Sequence, residues 1–146
     1  MSPPKLRIYN RQKVHAVSLP WLRKIGKAAM PLCLAEVKSP EAPLPSLSEI
    51  EITLVNDVDI ARVHGDFLGD PTPTDVITFH HGEILISADT AERQGRDHGQ
   101  PVDHEVALYL VHGLMHLAGW DDHEADEARE MARRQESILQ AALKAV

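Results

Sequence analysis

Between His104 and Ala118 the chain reads H-E-V-A-L-Y-L-V-H-G-L-M-H-L-A, and its apolar residues fall on every side of a helix instead of along one stripe. A helix hydrophobic all round must be enclosed by other elements, so this segment predicts a buried central helix, with Asp103 as its N-cap. Two histidines interrupt the run. His112 and His116 are four apart, so both imidazoles project from one face about a turn apart, close enough to share one cation. Gly119 predicts the end of the helix, and the returning chain offers Asp122 or His123 as a third donor. Three protein ligands leave a coordination position open for water, which is the arrangement of a catalytic zinc site. In the metalloprotease pattern H-E-x-x-H a glutamate follows the first histidine as general base, and here that position is Gly113. The pattern looks hydrolytic, and Gly113 argues against a protease without excluding one.

A chain of 146 residues, 43% of them hydrophobic, is long enough to bury one core, so residues 1–146 are expected to form a single domain. No apolar stretch reaches the length of a membrane span, and the opening M-S-P-P-K-L-R-I-Y-N lacks the apolar run of a signal peptide. A soluble, cytoplasmic protein with no membrane partner is expected. The single cysteine, Cys33, excludes an internal disulfide and a cysteine-based zinc cluster, so metal binding falls to histidines and carboxylates. A net charge of −7 argues against gripping nucleic acid by bulk electrostatics. A local basic patch could be built from the N-terminal Arg7, Arg11, Lys13, Arg23, Lys24 and Lys27, where a solvated helix face is the simpler reading and nucleic-acid binding the alternative.

Periodicity supplies the remaining elements. L-R-I-Y alternates as a strand with Leu6 and Ile8 on one face, and E-I-E-I-T-L-V as a second with Ile50, Ile52 and Leu54 aligned. Between them Ser18 caps a helix that Pro31 should disturb near its end. The proline-rich residues 39–46 form a loop too short to link domains. Asn56 or Asp57 caps a short helix loosened by Gly65 and Gly69; V-I-T-F and E-I-L-I-S, joined by H-H-G, then read as a hairpin. Ser87 or Asp89 starts another helix ending near Gly95 or Gly99. A last helix begins near Glu124, with Ala128, Met131, Ile138, Leu139 and Leu143 on one stripe. Strands and helices are mixed without regular alternation. The class is therefore α+β: a single domain with a small mixed sheet of about four strands, about five helices, and the zinc-ligand helix central.

The stretch H-G-L-M-H-L-A-G-W-D-D-H, residues 112–123, resembles the H-G-x-L-H-L-x-G-Y-D-H signature of the YbeY endoribonuclease family. Three more segments are similar to that family in the same order: P-T-D-V-I-T-F at 73–79, G-E-I-L-I-S at 82–87 and M-A-R-R-Q-E-S-I-L at 131–139. The resemblance implies a zinc-dependent, single-strand-specific endoribonuclease of the cytoplasm. Its task would be late ribosome maturation, processing the 3′ end of small-subunit ribosomal RNA, and ribosome quality control. The implied partners are ribosomal RNA and the small ribosomal subunit, with ribosomal proteins or an assembly GTPase. One Zn²⁺ per chain is implied, held by His112 and His116, with a zinc-bound water as nucleophile.

Two departures from the family pattern matter. The doubled aspartate puts the usual third-ligand offset on Asp122 and moves the histidine to His123; imidazole is the commoner zinc ligand, so His123 is preferred and Asp122 kept as the alternative. Upstream, many family members carry an arginine after an aromatic, and here Leu68 follows Phe67. Arg62 is the candidate substitute for phosphate binding, and Thr74 and Asp75 are candidate cleft residues that also suit a turn. Glu105, on the ligand face, and Asp121 are candidate general bases, although Glu105 equally suits a first turn favoured by the helix dipole. Trp120 reads as wall packing with base stacking as the alternative, and His80 and His81 as exposed turn residues. Two other functions compete with RNA cleavage: a zinc metalloprotease or other small metallohydrolase, and a ribosome assembly factor with a mainly structural zinc.

Overall fold

The computed structural model describes residues 2–146. In chain order it contains β1 (Lys5–Asn10), α1 (Leu19–Leu34), a 3-10 turn (Leu44–Ser46), β2 (Glu49–Val55) and α2 (Asp57–Leu68). The hairpin β3 (Val76–Phe79) and β4 (Glu83–Ser87) follows, then α3 (Ala88–His98), α4 (Val102–Leu117) and α5 (Ala125–Ala145). The strands form one mixed sheet in the order β1-β2-β4-β3, parallel except for β3, which runs antiparallel to β4 and forms an outer edge. Among the described residues these four strands and five α-helices make the expected α+β unit.

Period-two alternation assigns each side chain to a face. Ile50, Ile52 and Leu54 of β2, in register with Leu6, Ile8, Ile84 and Ile86, join the main core beneath α1, α4 and α5. The opposite residues Val55, Ile77 and Leu85 pack with Ile60 of α2 in a smaller cluster on the other face. As its composition demands, α4 is enclosed: Val106, Leu110, Val111, Leu114, Met115 and Leu117 are all buried. Each such side chain stabilises the fold by about 1.5–3 kcal/mol relative to remaining exposed. α4 packs on β3, β4, α1, α3 and α5, so its position is set from every side.

The local signals hold with three adjustments. Ser18, Asn56 and Ser87 cap α1, α2 and α3 through their side-chain oxygens. Asp103, however, is not a cap: Pro101 occupies that position, and the Asp103 carboxylate lies in the first turn, where it accepts from the backbone N–H of Ser18 at 3.3 Å. α2 passes through Gly65 and stops only at Gly69, whose left-handed φ of 73° closes it. α1 continues past Pro31 to Leu34, because a proline near the end removes a single bond from the last turn. In the hairpin, Gly82 adopts φ 103°, and a Cβ there would meet the Glu49 carbonyl oxygen at 2.9 Å. Only glycine lets this turn lie against β2.

Candidate metal centre

On α4, His112 and His116 face the same side, with ring centroids 4.6 Å apart and planes crossing at 88°. Each ring is fixed through Nδ1. His112 Nδ1 is bonded to Gln135 Oε1 of α5 at 2.8 Å, and His116 Nδ1 to the Trp120 carbonyl at 2.9 Å. Because each Nδ1–H donates to an oxygen, both Nε2 atoms present lone pairs, and these lie 3.0 Å apart. Two facing lone pairs beside a carboxylate repel unless a cation lies between them. Burial and then the neighbouring His112 hold the His116 imidazole below its ordinary pKa, with Asp122 opposing them, so His116 favours the neutral form that a metal requires.

The third donor comes from the loop after α4. Gly119, at φ 100°, turns the chain back over the helix end, and the backbone N–H of Trp120 donates to the Met115 carbonyl. Trp120 then anchors the loop: its indole N–H donates to the Glu36 carbonyl at 2.8 Å, while Lys38 Nζ and Arg134 Cζ lie 5.0 and 4.6 Å from its ring centroid. Its role is a wall clasped by two cations. The backbone N–H of Asp121 donates to Glu127 of α5 at 3.0 Å, which fixes the next residue. Asp122 Oδ2 consequently stands 3.5 Å from His112 Nε2 and 3.8 Å from His116 Nε2.

These separations suit a metal ion. Donors about 2.0–2.1 Å from a tetrahedral zinc stand roughly 3.3 Å from one another. His112, His116 and Asp122 form a group whose donor atoms all lie within 4.8 Å of one another. His123 falls in a different group with Asp121 and Asp122; its side chain is 87% exposed and its Nε2 lies 3.4 Å from Asp121 Oδ1.

The site opens into a cleft of about 540 Å³ running along β3, with Thr74, Thr78, His80, Asp121 and His123 among its walls. Asp75 sits at the start of β3, where its carboxylate accepts from the backbone N–H of Val76 at 2.8 Å. Arg62 is not in this cleft: it pairs with Asp59 at 3.6 Å and borders a separate hollow with Arg11 and Thr53. Glu105 is likewise elsewhere, buried against His98 Nδ1 at 3.2 Å, two turns before the ligand pair. Leu68, at the place of the family arginine, does border the cleft. Residues to which the sequence assigns no role at the site also arrive there. Gln135 reaches His112 from 23 positions away, and His64 and Glu41 line the walls from α2 and the proline-rich loop.

The comparisons with known proteins agree with this architecture. The family model described as Endoribonuclease YbeY matches residues 7–143. The endoribonuclease YbeY of Geobacter sulfurreducens is 33% identical over 91% of this chain and 89% of that protein, and the one from Syntrophotalea carbinolica 31% identical over 90% and 89%. A solution structure of a Thermotoga maritima protein shares the fold, with a TM-score of 0.64 at 23% identity over 94% of this chain and 88% of that one. With the helix-borne histidine pair in place, the match along nearly the whole length means that the chain belongs to the YbeY endoribonuclease family.

Proposed function

We propose that this protein is a zinc-dependent, single-strand-specific endoribonuclease that acts on the 3′ end of small-subunit ribosomal RNA in the cytoplasm. The observation that carries the reading is the convergence of His112, His116 and Asp122, the last two of which line an open cleft, in a chain of this family. In this proposal those three residues hold the ion, with Asp122 instead of His123 as the third ligand. What supports Asp122 is its approach to both ring nitrogens, whereas the His123 side chain is 87% exposed and groups with Asp121 instead of with the helix pair. When bound, zinc supplies Lewis acidity toward a phosphoryl oxygen and lowers the pKa of water toward neutrality.

The remaining roles belong to the protein. Gln135 and the Trp120 carbonyl keep the two Nδ1 protons and so hold each Nε2 toward the ion. Asp121 is the better candidate for general base, because its carboxylate borders the cleft while Glu105 faces a different hollow. Thr74, His64 and His80 stand on the walls as polar groups for the sugar-phosphate chain.

The test is cleavage of a single-stranded oligoribonucleotide and of a small-subunit 3′-end transcript by zinc-loaded protein, with casein as a control and zinc stoichiometry measured in parallel. Wild-type protein should cut RNA and leave casein intact, and His116→Ala should lose cleavage. Asp122→Ala should lose zinc while His123→Ala retains it; the reverse would move the third ligand to His123. Cleavage surviving in His116→Ala would sink the assignment. A zinc-loaded protein that leaves RNA uncut would instead indicate an assembly factor with structural zinc.

A further inference from the structure

The metal cleft has an unusual wall for an RNA-binding surface: among the described residues, no lysine or arginine lines it, and Glu41, Asp121 and Asp122 do. Phosphate contacts therefore supply little of the grip that basic side chains normally provide. Next to this cleft lies a row of three rings, with Phe67 and His81 exposed at its ends and Phe79 between them half-buried against the smaller core cluster. Phe67, at the end of α2, is 69% exposed and meets Phe79 edge-on at 5.5 Å and 73°; Phe79 stacks on His81 at 5.6 Å and 18°. The chain has only two phenylalanines, and both stand in this row. The row adjoins the cleft across the edge of β3, where Leu68, beside Phe67, and His80, between Phe79 and His81, both border the cleft.

We infer that Phe67, Phe79 and His81 form a nucleobase-stacking platform that holds single-stranded RNA by its bases as the strand passes over the edge of β3 into the metal cleft. The inference rests on the RNA-cleaving reading above and deepens it. Single-strand binding surfaces commonly combine a backbone groove with aromatic faces, and stacking tolerates any base because every base has a π-face. In this chain the balance shifts to the aromatic part. Double-stranded RNA, whose bases are already stacked and paired, has no free face to offer, so the platform selects for single strands.

The experiment compares full-length, zinc-loaded wild type, Phe67→Ala and Phe67→Trp by fluorescence anisotropy. The probes are a labelled single-stranded oligoribonucleotide and an abasic strand of the same length, and cleavage and sedimentation are followed alongside. Phe67→Ala should weaken binding of the base-bearing strand by about 5- to 150-fold, the usual range for losing one stacked base. It should leave the weak binding of the abasic strand unchanged, and Phe67→Trp should restore affinity. The exposed position makes a folding defect separable, since the melting temperature should not move. Wild-type affinity in Phe67→Ala, or an equal loss on both strands, would overturn the platform while cleavage by the wild type left the enzymatic reading standing. A wild type that neither binds nor cuts RNA would overturn both. Unchanged RNA affinity with a shift from dimer to monomer would make the row an interface between copies and also end the proposal.

Discussion

Gly113 shows how one position can carry two reasons. A Cβ built there would lie 2.7 Å from Ile84 Cδ1 and 3.1 Å from both Ile84 Cγ2 and Thr78 Oγ1. The residue thus faces the sheet, and its missing side chain is what lets α4 settle against β3 and β4. In the sequence the absence of a glutamate at this position spoke about chemistry; in the fold it is also a packing requirement. Gly113→Glu would force a carboxylate into the core, where the otherwise unpartnered Thr78 hydroxyl is the nearest polar atom. Overpacking and an unpaired buried charge together should cost at least about 3 kcal/mol. Urea unfolding measures this, and a casein assay should remain negative. A variant as stable as the parent would show that the helix has room to turn the glutamate into the cleft.

At the scale of elements, α2 and α3 start side by side at the ends of β2 and β4, and their first turns are tied together. The Asp57 carboxylate accepts from Ser87 Oγ at 2.6 Å, Thr90 Oγ1 at 2.8 Å and Arg93 Nη1 at 2.7 Å. Asp89 returns the link by accepting from the backbone N–H of Asp57 at 2.9 Å and pairing with His15 at 2.8 Å. Burial raises the Asp57 pKa, but the bonds from Ser87, Arg93 and Thr90 outweigh it and hold the carboxyl below its usual value. A folded-state pKa below the unfolded one gives stability that is present above about pH 4 and is lost as pH falls through the folded value. Asp57→Asn should therefore destabilise by about 1–3 kcal/mol at pH 7, with the gap to wild type shrinking below about pH 4. Paired urea titrations at pH 7 and pH 3 check it. A constant gap across that range would mean that the charge of Asp57 contributes nothing beyond its shape.

For the molecule as a whole, the donor group of His112, His116 and Asp122 ties distant chain segments into one unit. α4 brings both histidines, the loop after it brings Asp122, and that loop is held by Glu36 and Lys38 after α1 and by Glu127 and Arg134 of α5. An ion bound only by the folded chain stabilises all of it: at a hundredfold excess over Kd the gain is about 2.7 kcal/mol, and the melting temperature should rise by roughly 8 °C. Chelation should reverse the rise, as thermal unfolding with and without zinc will report; an unchanged melting temperature would mean that the donors do not close on an ion. By itself the sequence determined what local periodicity encodes. The alternating strands, the capped helices, the enclosed α4 and the His112–His116 pair follow from spacings of two, three and four residues, which the backbone converts directly into faces. Tertiary structure decided what depends on how those faces meet. Gln135 behind His112, the removal of Arg62 and Glu105 from the cleft, and the choice of Asp122 over His123 to face the helix pair have no local signal. Each is fixed by where a turn or a neighbouring helix aims a side chain, and a one-residue change in a loop swings that direction without altering the pattern that precedes it.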